Sequence, residues 1–441
     1  MKNRLLPGCL LACLAATPVR AMTDRFWDYY DPRPSSYIGS SEWWQGDSAL
    51  GDWWGVRNWL DKDKGVEFSV SYTTDLAGNP VGGMQSGFTY TDNIAFGVKL
   101  DLEKSLGWDG ALFTIAATQR DGDSLSQDFI GNQFTVQQIY GGQTTILTTM
   151  TLSQKFWDDK AELKAGWFSS GDDFASSPLY WLYMNNGIDG NPQALPVNAS
   201  FSAYPWASWA ARLRVEPTPE THLMAGLYQV SARTFSRSLN GVNMGFEPTD
   251  GVMFLGQAGW TPELFKRSVS AKDTPRGLPG HYWFGGYFST WQYPQFGTTD
   301  TAPNTYGFYW HADQMLYQES PGSSQGFTLW TAFVYSPQEN ISKLPFQWNA
   351  GAVYQGLLPR RDNDILMFGL VYGQFSDDYS DAGLAYRGNA ASYELALEWG
   401  YRVQLNSWLY IQPNMQYIVQ PGGTGEIPDA LVLGMQAGVT F

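Results

Sequence analysis

Two pairs of carboxylates stand out first. Glu394 and Glu398 lie four residues apart in "YELALEWGYRVQL", and Asp172 and Asp173 are adjacent in "SSGDDFASSP". Paired carboxylates are what glycoside hydrolysis needs, one acid with one base or nucleophile, about 5–10 Å apart. In an extended chain rising about 3.3 Å per residue, the two glutamates share one face but sit roughly 13 Å apart, too far for either mechanism. The two aspartates point to opposite faces if their strand continues. Nucleophilic triads need histidine, and the chain has three: His222, His281 and His311. His311 and Asp313 share one face of a strand, a weak metal pair that reads better as polar lining. No phosphate-cradling glycine loop, zinc spacing or calcium-loop motif occurs, so neither cofactor nor metal is expected. A secreted β-rich glycoside hydrolase stays open as the rival class.

The elements that carry these residues are strands. From Gly65 onward the apolar period is two. In "VEFSVSYTTDL", Val66, Phe68, Val70, Tyr72 and Leu76 oppose Glu67, Ser69, Ser71, Thr73 and Asp75. In "NIAFGVKLDL", Ile94, Phe96, Val98 and Leu100 oppose Asn93, Ala95, Gly97, Lys99 and Asp101. The clearest case sets Tyr393, Leu395, Leu397, Trp399, Tyr401 and Val403 against Glu394, Glu398, Arg402 and Gln404. Period-two alternation means a strand with two unlike faces. Strands are expected to begin near residues 65, 91, 111, 143, 161, 206, 221, 252, 280, 305, 326, 345, 364, 393, 408 and 430, about 16 in all. Before them, "GDWWGVRNWLDKDKG" reads as one short helix with Asp52 as N-cap and Gly65 as its stop.

Composition narrows the class. Charged residues are 16% of 441, aromatics also 16%, and glycines number 47. The charged share is below the roughly 25% of an average soluble domain. No run of about 18 apolar residues could cross a bilayer as a helix. Lys2 and Arg4 precede the apolar "LLPGCLLACLAA", and "VRA" (19–21) offers small residues for cleavage, so residues 1–21 read as a secretory signal peptide. "LLAC" ending at Cys13 resembles a lipoprotein box, although cutting there leaves a very short signal. Cys9 and Cys13, the two cysteines, both lie in the signal, so the mature chain is expected to do without disulfides. From 27 basic and 42 acidic residues, loss of Lys2, Arg4 and Arg20 leaves 24 against 42, a net charge of −18. That balance argues against nucleic acid as a partner.

Connection lengths add an independent pattern. Short links at 157–161, 217–220, 359–364 and 406–407 alternate with longer ones at 79–90, 121–142, 171–205, 232–250 and 376–392. The link at 261–280 is the one misfit. Alternating short and long turns on an even number of strands are the mark of an outer-membrane β-barrel. A charge facing lipid at mid-membrane costs about 2–4 kcal/mol, so Glu394, Glu398 and Arg402 should face in, and Leu395, Leu397 and Trp399 out. The bland rival is a soluble β-sandwich or propeller with that apolar face as core. The organisation expected is a signal peptide (1–21), a periplasmic segment with a short helix (22–64) and a transmembrane antiparallel barrel (65–441). In a closed barrel the last strand, "ALVLGMQAGVTF", pairs with the first and needs no capping tail.

Several stretches resemble the OprB family of carbohydrate-selective porins: "GDWWGVRNWLDKDKGVEFSVSYTTDLAGNPVGG", "DNIAFGVKLDLEKSLGWDGA", "SSGDDFASSP", and "WLYIQPNMQYIVQPGG" followed by "DALVLGMQAGVTF". The resemblance implies an all-β, sixteen-stranded barrel of the bacterial outer membrane, crossing it many times. It also implies passive inward diffusion of monosaccharides, glucose above all, past a constriction of arginine, acids and aromatics. Arg120 matches the family's constriction arginine, and its parity agrees, since Phe113, Ile115 and Ala117 take the opposite face. Its guanidinium could donate several hydrogen bonds to sugar hydroxyls. An ordinary wall arginine paired with a carboxylate is the alternative. The third outer loop, 171–205, is expected to supply Asp172, Asp173, Asn185, Asn186, Phe201 and Tyr204, with Trp206 just after it. Amides and carboxylates there would pair with hydroxyls, and rings would stack on the sugar. Phe201 or Tyr204 stands where the family has a tryptophan. Lys99, Arg212, Glu394, Glu398 and Arg402 are expected to line the pore. Outer-membrane lipid would surround the barrel, and the terminal Phe441 resembles the signature read by the assembly machinery. Monomer and homo-oligomer both stay open, as does a porin for other solutes.

Overall fold

The computed structural model describes residues 40–267 and 276–441. The expected signal peptide and residues 22–39 lie outside the described residues. Sixteen strands form the wall. They are β1 (Val66–Val81), β2 (Phe88–Asp101), β3 (Ala111–Gly122), β4 (Thr144–Phe156), β5 (Ala161–Phe168), β6 (Ser208–Thr218), β7 (Thr221–Val230) and β8 (Gly251–Trp260). There follow β9 (Arg276–Ser289), β10 (Thr305–Gln318), β11 (Gly326–Tyr335), β12 (Phe346–Gln355), β13 (Ile365–Gln374), β14 (Tyr393–Asn406), β15 (Leu409–Val419) and β16 (Ala430–Thr440). Each pairs antiparallel with its neighbours in sequence. β16 then returns to β1, with Tyr72 opposite Val439 and Leu76 opposite Met435. The closed ladder leaves no edge of unpaired amides, which lipid could not hydrate.

Strand starts fall within a few residues of those expected. The misfit link at 261–280 has a local explanation. Residues Glu263–Arg267 form a short extra strand on the start of β9, with Leu264 opposite Leu278, so the hairpin runs past the barrel wall. The nine-residue helix Val56–Lys64 stops at Gly65, whose φ of 69° is the left-handed conformation that favours glycine. At its other end the expectation needs adjusting. Gly55, not Asp52, is the cap residue, but the Asp52 carboxylate still accepts from Asn58 N at 2.9 Å, satisfying one free amide of the first turn.

The register fixes which face sees lipid. Phe96, Ile115, Phe254, Phe308, Trp348, Leu433 and Met435 are exposed on the outer wall. Asp75, Asn93, Arg120, Gln412, Gln416 and Gln436 alternate with the outer residues and point inward. The apolar core is not between wall and lipid but inside the barrel. Leu125, Phe134 and Val136 of the loop 123–143 (L2) and Tyr180, Tyr183, Ile188, Leu195 and Phe201 of the loop 169–207 (L3) are buried there with wall residues Trp330, Val371 and Ile418. Burial at about 25 cal/mol per Å² of apolar surface pulls these loops inward.

At the rim where β1 begins and β16 ends, the segment before β1 covers the seam. Ala49 N donates to Thr440 O at 2.9 Å, and Trp43 and Trp44 pack on Trp408 at 4.9 and 5.5 Å between centroids. Ser407 Oγ bonds Gly46 O across the same surface.

Candidate functional site

L3 enters the lumen where β5 ends and is fastened to the wall almost residue by residue. Tyr180 Oη meets His311 Nδ1 at 2.7 Å, and His311 Nε2 meets Asp313 at 2.9 Å. Trp181 O accepts from Arg402, and Leu182 O accepts from Gln412 at 2.8 Å. Tyr183 Oη donates to Phe368 O and accepts from Trp330 Nε1. Gly187 O accepts from both Gln347 and Asn349. This turn needs a glycine, because a Cβ at 187 would come within 2.7 Å of Val371 and 2.8 Å of Phe134. L2 runs alongside, with Gln138 N donating to Met184 O at 2.8 Å and Asn186 N to Thr135 O at 2.7 Å.

Around Arg120 and Arg402 the wall strands β1, β3, β14 and β15 meet L2 and L3. Arg120 extends from β3 and is 2% exposed. Its Nε donates to Asn93 Oδ1 at 3.1 Å and its Nη1 to Tyr140 O at 3.4 Å. The Tyr204 ring covers the guanidinium at 5.0 Å, and Gly141 supports it from behind, since a Cβ there would meet Arg120 Cδ at 2.5 Å. Arg402 donates to Gln412 Oε1 at 2.7 Å and lies 4.3 Å over the Tyr410 ring. Neither arginine forms an ion pair among the described residues, so the wall-arginine alternative for Arg120 loses its carboxylate. Asp189 is within electrostatic reach of both arginines, and Asp75 of Arg120. Asp75 Oδ1 accepts from Gln436 at 3.0 Å. Burial within L3 holds the Asp189 carboxyl well above the usual carboxylate range.

Three buried atoms here have no protein partner among the described residues: Arg120 Nη2, Asp75 Oδ2 and Asp189 Oδ1. Buried polar atoms find partners nearly always, and these three are left without one from the protein. Trp181 presents an exposed indole (46%) next to Arg402 and Gly190.

The other expected site residues divide. Tyr204 and Asn186 are partly exposed, and Asp172 is exposed to the lumen. Asp173 is already neutralised, 3.1 Å from Lys164 and 3.0 Å from Arg212. Arg212 also pairs with Glu162 at 2.7 Å, which makes it part of a wall network rather than a free pore charge. Lys99, near the end of β2, pairs with Glu67 of β1 at 3.1 Å. Trp206 stands edge-on to Phe235 at 6.0 Å, beside another outer loop. Four expectations are corrected. Phe201 and Asn185 have no exposed surface: the ring lies in the core, and the amide is used up on Phe134 O and Gln416. Glu394 and Glu398 do face inward but are also fully buried, because L2 and L3 cover them. Sequence reasoning missed Asp75, Trp181, Asp189 and Tyr410. Inward parity marked Asp75, but nothing local marked Asp189 or Trp181.

A closed sixteen-stranded barrel with an apolar outer wall and a loop-narrowed polar lumen defines an outer-membrane porin. The family model described as carbohydrate-selective porin, OprB family, matches residues 85–441, and the chain belongs to that family. Porin B of Pseudomonas aeruginosa is 29% identical over 443 residues, covering 92% of this chain and 93% of that protein. The putative porin QuiX of Acinetobacter baylyi is 27% identical, covering 91% and 95%. The high-pH structure of Pseudomonas putida OprB superposes with a TM-score of 0.83 at 27% identity, covering 90% of this chain and 99% of that one. The low-pH structure of the same protein gives 0.60 over the same shares. The protein is thus a sugar-selective porin of the outer membrane.

Proposed function

We propose that the channel passes monosaccharides such as glucose inward by passive diffusion, without catalysis, and that the level of Arg120 is where selection occurs. The observation that carries this reading is the set of unpaired polar atoms there: one arginine N–H and two carboxylate oxygens, with the Tyr204 and Trp181 rings alongside. A sugar hydroxyl both donates and accepts, so a polyol can answer all three. Each contact replaces part of its hydration while staying weak enough to release. Asp172, Asn186 and Tyr204 are the remaining L3 groups with surface to offer. Cleavage of residues 1–21, recognition of Phe441 by the assembly machinery, a lipid annulus on the outer wall and any self-association belong to the same proposal. So does the division into a periplasmic segment (22–64) and a barrel (65–441).

Liposome swelling tests it with glucose and a zwitterionic amino acid of equal size. Faster uptake of glucose supports sugar selection at this level. Equal uptake of both would reduce the channel to a general porin. Conversion of any glycoside during the assay would revive the hydrolase.

A further inference from the structure

Glu394 and Glu398 stand on the inward face of β14 and grip main chain rather than solute. Glu394 accepts from the consecutive amides of Gln133 (2.7 Å) and Phe134 (2.8 Å) in L2, and from Gly422 N (2.6 Å) in the loop 420–429. Glu398 accepts from the consecutive amides of Met184 (2.7 Å) and Asn185 (3.0 Å) in L3, and from Asn414 Nδ2 at 2.6 Å. The two grips are joined by the L2–L3 main-chain bonds Gln138 N to Met184 O and Asn186 N to Thr135 O. One strand therefore holds three loops through two carboxylates that solvent does not reach.

We propose that Glu394 and Glu398 are the positioning residues that set the size limit of the pore. A carboxylate is acceptor-only, so both of its oxygens can receive the two N–H groups that a turn points the same way. Without it, each amide is left buried and unpaired, a cost relieved only if the loop moves toward water. The opposite side of the lumen keeps its own ties, Gln347 and Asn349 to Gly187 and Asn198 to Leu344, so the loops would swing from that side instead of leaving the barrel. The inference rests on the chain being a channel and is independent of whether Arg120 touches the sugar.

The test is the isosteric double variant E394Q/E398Q, in which an NH2 group faces one amide of each pair. Single-channel conductance in planar bilayers should rise. In liposome swelling the ratio of maltotriose to glucose uptake should rise about tenfold, the equivalent of about 1.4 kcal/mol of lost anchoring. The temperature at which the barrel loses its fast gel mobility should stay close to wild type, because the wall ladder is untouched. A lower unfolding temperature with unchanged conductance and ratio would make the glutamates merely structural and overturn the proposal. An unchanged variant in every readout would do the same. If the double variant does not fold, hydrogen exchange on the wild type decides. The amides of Gln133, Phe134, Met184 and Asn185 should exchange as slowly as strand amides, and fast exchange at them refutes the grip.

Discussion

Replacing Arg120 by methionine keeps most of the side chain's volume between Gly141 and Tyr204 while removing the guanidinium. The fold has little at stake in that group. Asn93 Oδ1 keeps its bond from Thr118 Oγ1 at 2.5 Å, and the contact with Tyr140 O is a long 3.4 Å. What disappears is the unpaired Nη2 donor and a positive charge facing Asp75 and Asp189. A hydrogen bond from a charged donor is worth about 1.5–3 kcal/mol. The low end, about 1.5 kcal/mol, is roughly a tenfold change in equilibrium. Glucose blocks ion current when it occupies a porin constriction, so the concentration giving half-maximal block in planar bilayers reads the affinity directly. It should rise about tenfold in the variant. Cation over anion permeability should rise at the same time, since a positive charge is removed from this level. Half-block within about twofold of wild type would mean that Nη2 meets no sugar, because even the weakest such bond exceeds that margin. Unchanged ion selectivity would separately show that Arg120 does not set the field there.

Three further outcomes follow from the geometry. Gly141→Ala places a Cβ 2.5 Å from Arg120 Cδ, so the flexible arginine must shift toward the lumen; conductance should fall while the strand ladder stays intact by infrared spectroscopy. Phe96→Arg puts a charge on the exposed outer wall of β2 and should destabilise the barrel by about 2–4 kcal/mol in urea titrations in vesicles, whereas the same charge at inward-facing Ala95 should cost little. Burial keeps Asp189 protonated beyond the usual carboxylate range, so stability it contributes at low pH is lost, and negative charge gained, as pH rises through its raised pKa. Reversal potentials should become more cation-selective over that rise, and a D189N variant that keeps the whole change would refute the assignment.

The barrel was legible because lipid outside and water or protein inside impose opposite polarity on alternate residues, and that pattern is local. Strand positions and the inward parity of Arg120 and Arg402 come from such local signals or from the family resemblance, whereas the inward path of the third outer loop was left open by the sequence. Parity says only that a side chain points inside. It cannot distinguish a wet lumen from a lumen filled by folded loops, and that is why Glu394 and Glu398 looked like pore lining. Asn185 and Phe201 were misplaced for the same reason. Asp189 and Trp181 depend on the path of L3, which is fixed by bonds to residues such as His311, Gln347 and Gln412, far off in sequence. Nothing near residue 181 or 189 announces those partners.

Because Glu394 and Glu398 grip amides, the grip itself asks nothing of the side chains at the held positions, although Phe134, Met184 and Asn185 are committed to core packing and hydrogen bonds of their own. Residues 133, 134, 184 and 185 need an N–H, which every amino acid but proline supplies. Placement and content of the loops are thereby separable: the wall fixes where the loops run, and their other residues are free to change what a solute meets. A channel built this way can be retuned to new solutes by loop substitutions alone, with the barrel and its two carboxylates left as they are.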